Sequence, residues 1–287
     1  MPAKILDGEK LAKKTLHALV SRVEKLKARG VAPCLAAVLV GNSPASELYV
    51  GKKTEACRGM GVLSRTVRLG ASASEDELLG AISSLNNDDA VHGILVQLPL
   101  PKRMDVQRVM ECIAPEKDVD GFNPVNLGRL FAGDVKGNFF APATPLGVMG
   151  LLRGAKIKIK SKHAVVVGSS NLVGKPLGIM LLNEFATVTF CHIRTKNLAQ
   201  HTCMADILVS AVGKPKLITA DMVKKGAVVM DVGTTKVGDR VHGDVDFNAV
   251  RKKASAITPV PGGVGPMTVA SVVANTVKAA ELSAGCR

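Results

Sequence analysis

The chain contains no tryptophan and a single tyrosine, and only 3% of its residues are aromatic. So few rings leave little surface on which bases could stack, which argues against a nucleic-acid partner. Six cysteines, Cys34, Cys57, Cys112, Cys191, Cys203 and Cys286, are scattered without a C-x-x-C pair, and the histidines do not cluster. Neither a metal site nor a disulfide framework is therefore expected, and reduced thiols fit a cytoplasmic protein. No apolar run approaches the ~20 residues that span a bilayer, so no membrane association is expected. The opening "MPAKILDGEKLAKKTLHALVSRVEKLKARG" lacks the continuous apolar stretch of a signal peptide and carries Asp7, Glu9 and Glu24. Acidic residues are the scarcer sign, 24 against 38 Lys and Arg, giving a formal net charge of +14. The basic residues are spread through every segment rather than gathered into a tract, which favours a small polyanionic ligand, or simple solubility, over nucleic acid.

What the chain does have is enough apolar material, 47% of 287 residues, to build two domains. Leu11, Leu16, Leu19, Val20, Val23 and Leu26 recur at helical spacing, and Gly30 stops the pattern. "CLAAVLVG" reads as a buried strand, after which helix and strand alternate: "ELYVGKKTEACRGMG", "VLSRTVRL", "EDELLGAISSLNN", "VHGILVQLPLP". Such alternation predicts an α/β fold with a parallel sheet covered by helices. The segment "PEKDVDGFNPVNLGRLFAGDVKGNFFAPATPLG" breaks the rhythm, and long Gly- and Pro-rich stretches of this kind are usually binding surfaces. A second alternating series, "HAVVVG", a helix from Lys175, "ATVTF", "DILVSAV", "AVVMDVG" and "AITPV", predicts a second α/β domain with a boundary near residues 145–160. The final helix, "MTVASVVANTVKAAELS", is expected to return to the first domain.

In "HAVVVGSSNLVGKPLGIMLL", Gly168 closes a strand and Gly174 opens a helix with Pro176 in its first turn, a geometry that offers backbone N–H groups to a phosphate. It is not a P-loop, because five residues separate the glycines and Pro176 replaces the Ser or Thr that would hold magnesium. About 20 residues further on, where a dinucleotide site keeps an acid for a ribose hydroxyl or a base for a 2′-phosphate, the chain has His192, Ile193, Arg194, Thr195 and Lys196. The absence of a carboxylate favours NADP over NAD; the plainer alternative is that Arg194 and Lys196 are solvated loop charges. The strand ends "SAVGKP" and "MDVGTT" supply Gly213 and Gly233 where the cofactor would lie against backbone.

Tyr49 and Lys53, at i and i+4, share one helix face. Taken alone, the pair reads more readily as a core Tyr49 and a surface cation Lys53. Their company is Gln97 at the end of "GILVQLPLP" and Asp118 and Asp120 in "PEKDVDGFNP", a set suited to a substrate with amide and amine groups. With "SELYVGKK", "ATPLGVMGLL", "VVVGSSNLVGKP", "ATVTFCH", "GDVDF" and "TPVPGGVGPMT", these motifs resemble, over essentially the whole chain, the bifunctional methylenetetrahydrofolate dehydrogenase/methenyltetrahydrofolate cyclohydrolase family.

The resemblance implies two α/β domains flanking a cleft, the second a Rossmann-type parallel sheet: a folate-binding domain over 1–147, an NADP-binding domain over 148–265, and a carboxy-terminal helix, 266–287, packing back on the first. It implies a homodimer, tetrahydrofolate derivatives with or without a polyglutamate chain as substrates, and NADP as cofactor. Lys53 matches the catalytic lysine, Gln97 the glutamine that orients it, Tyr49 the tyrosine lining the folate site, and Asp120 the pterin anchor. Leu98, Pro261, Gly262 and Gly263 complete the implied substrate contacts. The implied cofactor contacts are Thr144, Gly168, Ser169, Ser170, Val173, Gly174, Pro176, His192, Arg194, Ala211, Val212, Gly213, Val232, Gly233 and Thr268. Ser169 and Ile193 depart from the family pattern, which places an arginine and a serine there for the 2′-phosphate. Arg194, helped by His192 or Lys196, is expected to take over that contact. The competing readings are a dehydrogenase without cyclohydrolase activity, a two-domain oxidoreductase of the shikimate dehydrogenase type, and a silent nucleotide- or nucleic-acid-binding protein.

Overall fold

Strand β1 (Lys4–Ile5) is followed by helices α1 (Gly8–His17) and α2 (Val20–Ala28), strand β2 (Cys34–Val40), helix α3 (Pro44–Gly59), strand β3 (Leu63–Leu69), helix α4 (Glu75–Asn86) and strand β4 (Gly93–Val96). The loop-rich middle carries α5 (Val106–Cys112) and α6 (Pro124–Phe131). Then come α7 (Ala143–Gly154), β5 (His163–Val167), α8 (Gly174–Asn183), β6 (Thr187–Cys191), α9 (Leu198–Thr202), β7 (Ile207–Ser210) and β8 (Val228–Asp231). A hairpin of β9 (Thr235–Val237) and β10 (Arg240–His242), the short α10 (Phe247–Val250), β11 (Ala256–Ile257) and the long α11 (Val264–Ser283) complete the order. The computed structural model describes residues 2–134, 137–238 and 240–285, so Cys286 and the last residue of the expected carboxy-terminal segment lie outside it. Among the described residues no helix is long and apolar enough to cross a membrane.

The single helix expected from Leu11 to Leu26 is two. Leu19 donates to Leu16 in a tight turn between them, and the fully buried stripe, Leu19, Val23 and Leu26, belongs to α2 and its first flanking residue. Two compact units result: Lys13–Ala143 with Val269–Arg287, and Met1–Ala12 with Thr144–Thr268. Residues 1–12 therefore group with the nucleotide-type unit rather than with the folate-type unit. The cause is β1, which pairs in parallel with β11 (Lys4↔Ala256, Ile5↔Ile257). Two paired residues carry no periodicity that a sequence could reveal. The chain leaves the folate-type unit at the start of α7, shortly before the expected break after residue 147.

In the folate-type unit the sheet order is β3-β2-β4, all parallel. Every residue of central β2 is buried, and its side chains alternate between faces. Leu35, Ala37 and Leu39 pack with α2, α3 and the Val272, Val273 and Val277 face of α11, while Cys34, Ala36 and Val38 pack with Leu78, Ile82 and Val109 from α4 and α5. Asn275 of α11 donates to the backbone carbonyls of Val119 (2.8 Å) and Ala141 (3.3 Å), fastening both ends of the loop-rich segment.

In the nucleotide-type unit the order is β1-β11-β8-β7-β5-β6 with parallel pairings throughout. The chain winds from β5 outward to β6, then returns to the other side of β5 with β7. Between β5 and β7 the winding direction reverses, the point at which sheets of this kind bind ligands beyond the carboxyl ends of their strands. The loops at that edge are stitched by two buried carboxylates. Asp244 accepts from Ser210 Oγ (2.9 Å), Val212 N (2.7 Å) and Lys214 N (2.8 Å). Asp231 accepts from Gly233 N (3.1 Å), Asp244 N (2.9 Å) and Val245 N (2.9 Å). Burial pushes the Asp231 carboxyl up to about 7, with its three N–H donors opposing the shift and Asp244 reinforcing it.

That displacement fixes a sign. A carboxyl whose folded value lies above the unfolded value of about 3.9 makes the folded state bind the proton more tightly. Its contribution to stability is present at low pH and is lost as pH rises through the window from about 4 to about 7. Asp231→Asn removes this titration and misplaces an amide against backbone N–H groups, so the variant should melt below the wild type at pH 5.5. The deficit should shrink at pH 8. Thermal melts of both proteins across this range check it, and a deficit independent of pH would contradict the assignment.

Candidate active site

Lys53 lies on α3, which starts sharply because the Ser43 hydroxyl accepts from Ser46 N (3.5 Å) and Pro44 occupies the first helical position. The alternative reading of Tyr49 as core and Lys53 as surface is reversed: Tyr49 is 40% exposed and Lys53 only 7%. Lys53 Nζ donates to Gln97 Oε1 (3.3 Å) and stands 3.9 Å from Asp120 Oδ2. Gln97 follows β4 and remains in register, its N–H donating to Val38 O (2.9 Å). Its side-chain Nε2 donates to Leu98 O (2.8 Å), which turns the amide oxygen toward the lysine. One of the three ammonium donors is thus used by Gln97, and the Asp120 carboxylate is close enough to attract the charge without locking it.

The loop carrying Asp120 is held by Asp118, a carboxylate for which the motif alone specifies no separate role. Asp118 is 1% exposed and accepts from Gly121 N (3.0 Å), Asn123 N (2.8 Å) and Asn126 Nδ2 (2.9 Å). Burial raises its pKa, hydrogen bonds from Asn126, Asn123 and Phe122 oppose the shift, and the Asp120 charge reinforces it. Its backbone bridges to Ile94 of β4, and Ala143 N donates to Asp120 O (3.2 Å). A side chain on Gly121 (φ +76°) would come within 2.5 Å of the Ala141 carbonyl carbon, so only glycine allows this close turn. The signal for Asp118 is the D-x-D-G spacing with Asn123 and Asn126 following, residues that supply donors to a carboxylate turned back on its own loop.

In the nucleotide-type unit the expected turn closes on itself. A Cβ on Gly174 would fall 1.9 Å from Gly168 O, and one on Gly168 (φ +116°) would fall 2.4 Å from Ala211 O. Gly168 and Ala211 are the residues at the reversal of winding, so the cradle lies where such sheets bind ligands. Ser170 Oγ accepts from Val173 N (3.2 Å) and Gly174 N (3.5 Å), preforming the entry to α8, whose first turn also holds Pro176. Ser169 follows Gly168 in the same turn. After β6, His192 Nδ1 accepts from Arg194 N (3.2 Å), which puts the ring proton on Nε2. Arg194 and Lys196 are exposed and make no ion pair among the described residues, and Ile193 stands 99% exposed beside them. Val232 N donates to Ser210 O (2.8 Å), Gly213 has φ +75°, and a Cβ on Gly233 would overlap Asp244 Oδ1 at 2.1 Å. These residues fit a dinucleotide: a side-chain-free cradle at a helix start, then free cations one strand further on.

Pro261, Gly262 and Gly263 belong to this unit, fixed by the amino-terminal segment: Gly8 N donates to Gly262 O (2.9 Å), and a Cβ on Gly8 would reach Gly263 O at 1.7 Å. Thr144 and Thr268 meet through their hydroxyls at 3.1 Å. The expected site residues thus fall into two constellations, Tyr49, Lys53, Gln97, Leu98 and Asp120 in one unit and the remainder in the other. Among the described residues no group of three or more His, Cys, Asp or Glu is placed to hold a metal ion.

Comparison with known proteins identifies one family over both units. Residues 6–120 match the tetrahydrofolate dehydrogenase/cyclohydrolase catalytic domain, and residues 142–284 match the NAD(P)-binding domain of the same family. A relative named bifunctional protein FolD from Halalkalibacterium halodurans is 54% identical over 281 residues, covering 98% of this chain and 100% of the relative. The crystal structure of the bifunctional enzyme FolD, methylenetetrahydrofolate dehydrogenase/cyclohydrolase, from Campylobacter jejuni superposes with a TM-score of 0.95 at 47% identity, covering 98% of this chain and 99% of that one. The Trypanosoma brucei methylenetetrahydrofolate dehydrogenase-cyclohydrolase, solved with NADP and an inhibitor, gives a TM-score of 0.94 at 38% identity, with 99% of each chain covered. The chain belongs to the tetrahydrofolate dehydrogenase/cyclohydrolase family.

Proposed function

We propose that the protein oxidises 5,10-methylenetetrahydrofolate to 5,10-methenyltetrahydrofolate with NADP and hydrolyses the product to 10-formyltetrahydrofolate. The observation that carries this reading is the buried Lys53 ammonium, 3.3 Å from Gln97 Oε1 and 3.9 Å from Asp120 Oδ2. An oxidoreductase without the hydrolytic step has no need of it. Asp120 presents two oxygens that suit the pterin ring N–H and exocyclic amine side by side. Tyr49, one turn before Lys53 and 40% exposed, offers a ring face to the flat parts of the folate. NADP supplies the hydride acceptor, and hydride transfer requires the protein only to position two carbons. Gly168 and Gly174 would admit its pyrophosphate, and Arg194, with His192 and Lys196 beside it, its 2′-phosphate.

Hydrolysis needs a proton moved as water adds to the bridging carbon and the ring opens. Lys53 suits this role because its amine can carry a proton between water and the departing ring nitrogen, and its charge stabilises developing negative charge. Gln97 holds the amine in place, since its own amide is pinned to Leu98 O. The dispersed positive charge behind the net +14 would draw in a polyglutamylated substrate. The reading includes a cytoplasmic homodimer, supported by β3, an edge strand paired only with β2 and exposing 52% of Leu63. Sedimentation velocity is expected to give twice the 30.0 kDa chain mass, and a single-chain particle at micromolar concentration would exclude the dimer.

Lys53→Met is expected to lower conversion of methenyltetrahydrofolate by about 10²-fold or more, the usual scale of a lost acid–base group, while the protein still binds NADP. Wild-type hydrolysis in this variant would refute the assignment. Arg194→Ala should reduce kcat/KM with NADP roughly tenfold relative to NAD, as expected for loss of one exposed charge-assisted contact. An unchanged ratio of the two cofactors would remove Arg194 from the 2′-phosphate site.

A further inference from the structure

Lysines that are scattered in the sequence converge in space. At the amino-terminal edge of the nucleotide-type unit's sheet, a pocket of about 220 Å³ is lined by Lys158, Lys162, Lys224, Lys225, Asp206 and Ser255, together with apolar residues at the starts of β7 and β8. Two of these lysines come from the connection between α7 and β5 and two from the turn before β8, segments far apart in the chain. The basic residues form no tract in the sequence, and only the fold brings these four together at one edge.

The pocket's one carboxylate is already committed. Asp206 Oδ1 accepts from Lys224 Nζ (2.7 Å) and Oδ2 from His163 N (3.0 Å). This ties the turn before β8 to the first residues of β5 and β7 and gives the pocket a fixed wall. Lys158, Lys162 and Lys225 make no ion pair among the described residues. Four ammonium groups against one carboxylate leave a net charge of three positive over the pocket. Like charges so placed repel one another and lower the cost of capturing a compact anion.

We propose that this pocket binds a condensed phosphate, free or as the phosphate chain of a nucleotide, at a site distinct from the dinucleotide cradle. At about 220 Å³ the pocket has room for two or three linked phosphoryl groups. Two such groups carry roughly three negative charges at pH 7, matching the excess. Lysine, a point charge with three rotatable donors, suits phosphate oxygens without demanding the planar geometry that arginine would. The cradle at Gly168 lies at the opposite end of the same strands, about 15 Å away for strands of this length, so one phosphate chain does not occupy both.

The test is calorimetric titration of the full chain at fixed ionic strength with tripolyphosphate, with ATP and with citrate, each with and without saturating NADP. Binding of tripolyphosphate at one equivalent that persists under saturating NADP is expected, and a Kd at least tenfold weaker is expected in Lys158→Glu/Lys225→Glu. That double variant should keep wild-type dehydrogenase activity without added phosphate. If it does not fold, Lys225→Gln, at an exposed turn, is expected to weaken binding several-fold. ATP binding as tightly as tripolyphosphate identifies the nucleotide-borne source, and weaker ATP binding the free one. Loss of the signal under NADP, an unchanged Kd in the variants, or citrate binding as tightly as tripolyphosphate would each overturn the proposal.

Discussion

An ammonium group can be kept out of water only where oxygen atoms meet it at the right places, and the folate-type unit is organised around meeting that demand for Lys53. Helix α3 brings the amine inward, the residue after β4 supplies a neutral amide, and the loop beyond it supplies a carboxylate. Each of the three is fixed by backbone: α3 by its Ser43 cap, Gln97 by the β2 ladder, and Asp120 by a turn wound on Asp118. A buried charge so supported is costly to disturb from any side, because removing one partner leaves another unsatisfied. The same three groups form the surface on which an amide- and amine-bearing substrate would be recognised.

The nucleotide-type unit solves a different problem, that of bringing backbone close to a ligand. It does so with glycines whose missing side chains are filled by neighbouring carbonyls and carboxylates, and with Asp231 and Asp244, which gather N–H groups from three strand-end loops. Here the buried carboxylates bind backbone rather than cations. Their electrostatic cost is offset by hydrogen bonds that would otherwise be orphaned at the carboxyl edge of the sheet.

Much of this was legible in the sequence. Long apolar strands such as "CLAAVLV", alternating with helical stretches, name their elements unaided, and the Gly168 to Gly174 turn declares itself by composition. Gln97 could be chosen because it ends a recognisable strand, Asp120 because it sits in the loop-rich segment, and Lys53 because it shares a helix face with Tyr49. What stayed hidden depends on distance along the chain. A two-residue strand has no period, so β1 and the segment it brings with it could not be assigned to the later unit. Asp231 and Asp244 look like ordinary acids at strand ends and in loops until burial and donor counts are known. The break between α1 and α2 leaves the apolar spacing nearly intact, and only the tight turn at Leu19 reveals it.

The pairing of Lys4 and Ile5 with Ala256 and Ile257 has a consequence for biosynthesis. Because the outermost strand of the second sheet precedes the other unit in the chain and its neighbour β11 follows it, that sheet cannot be finished until the intervening chain has been made. The other unit waits as well, since α11, the helix that seals its core, follows every strand of the second sheet. Vectorial folding, one domain completed before the next emerges, is closed to this chain. Both units reach their final contacts only once β11 and α11 have emerged, and those contacts are of the non-local kind that form slowly.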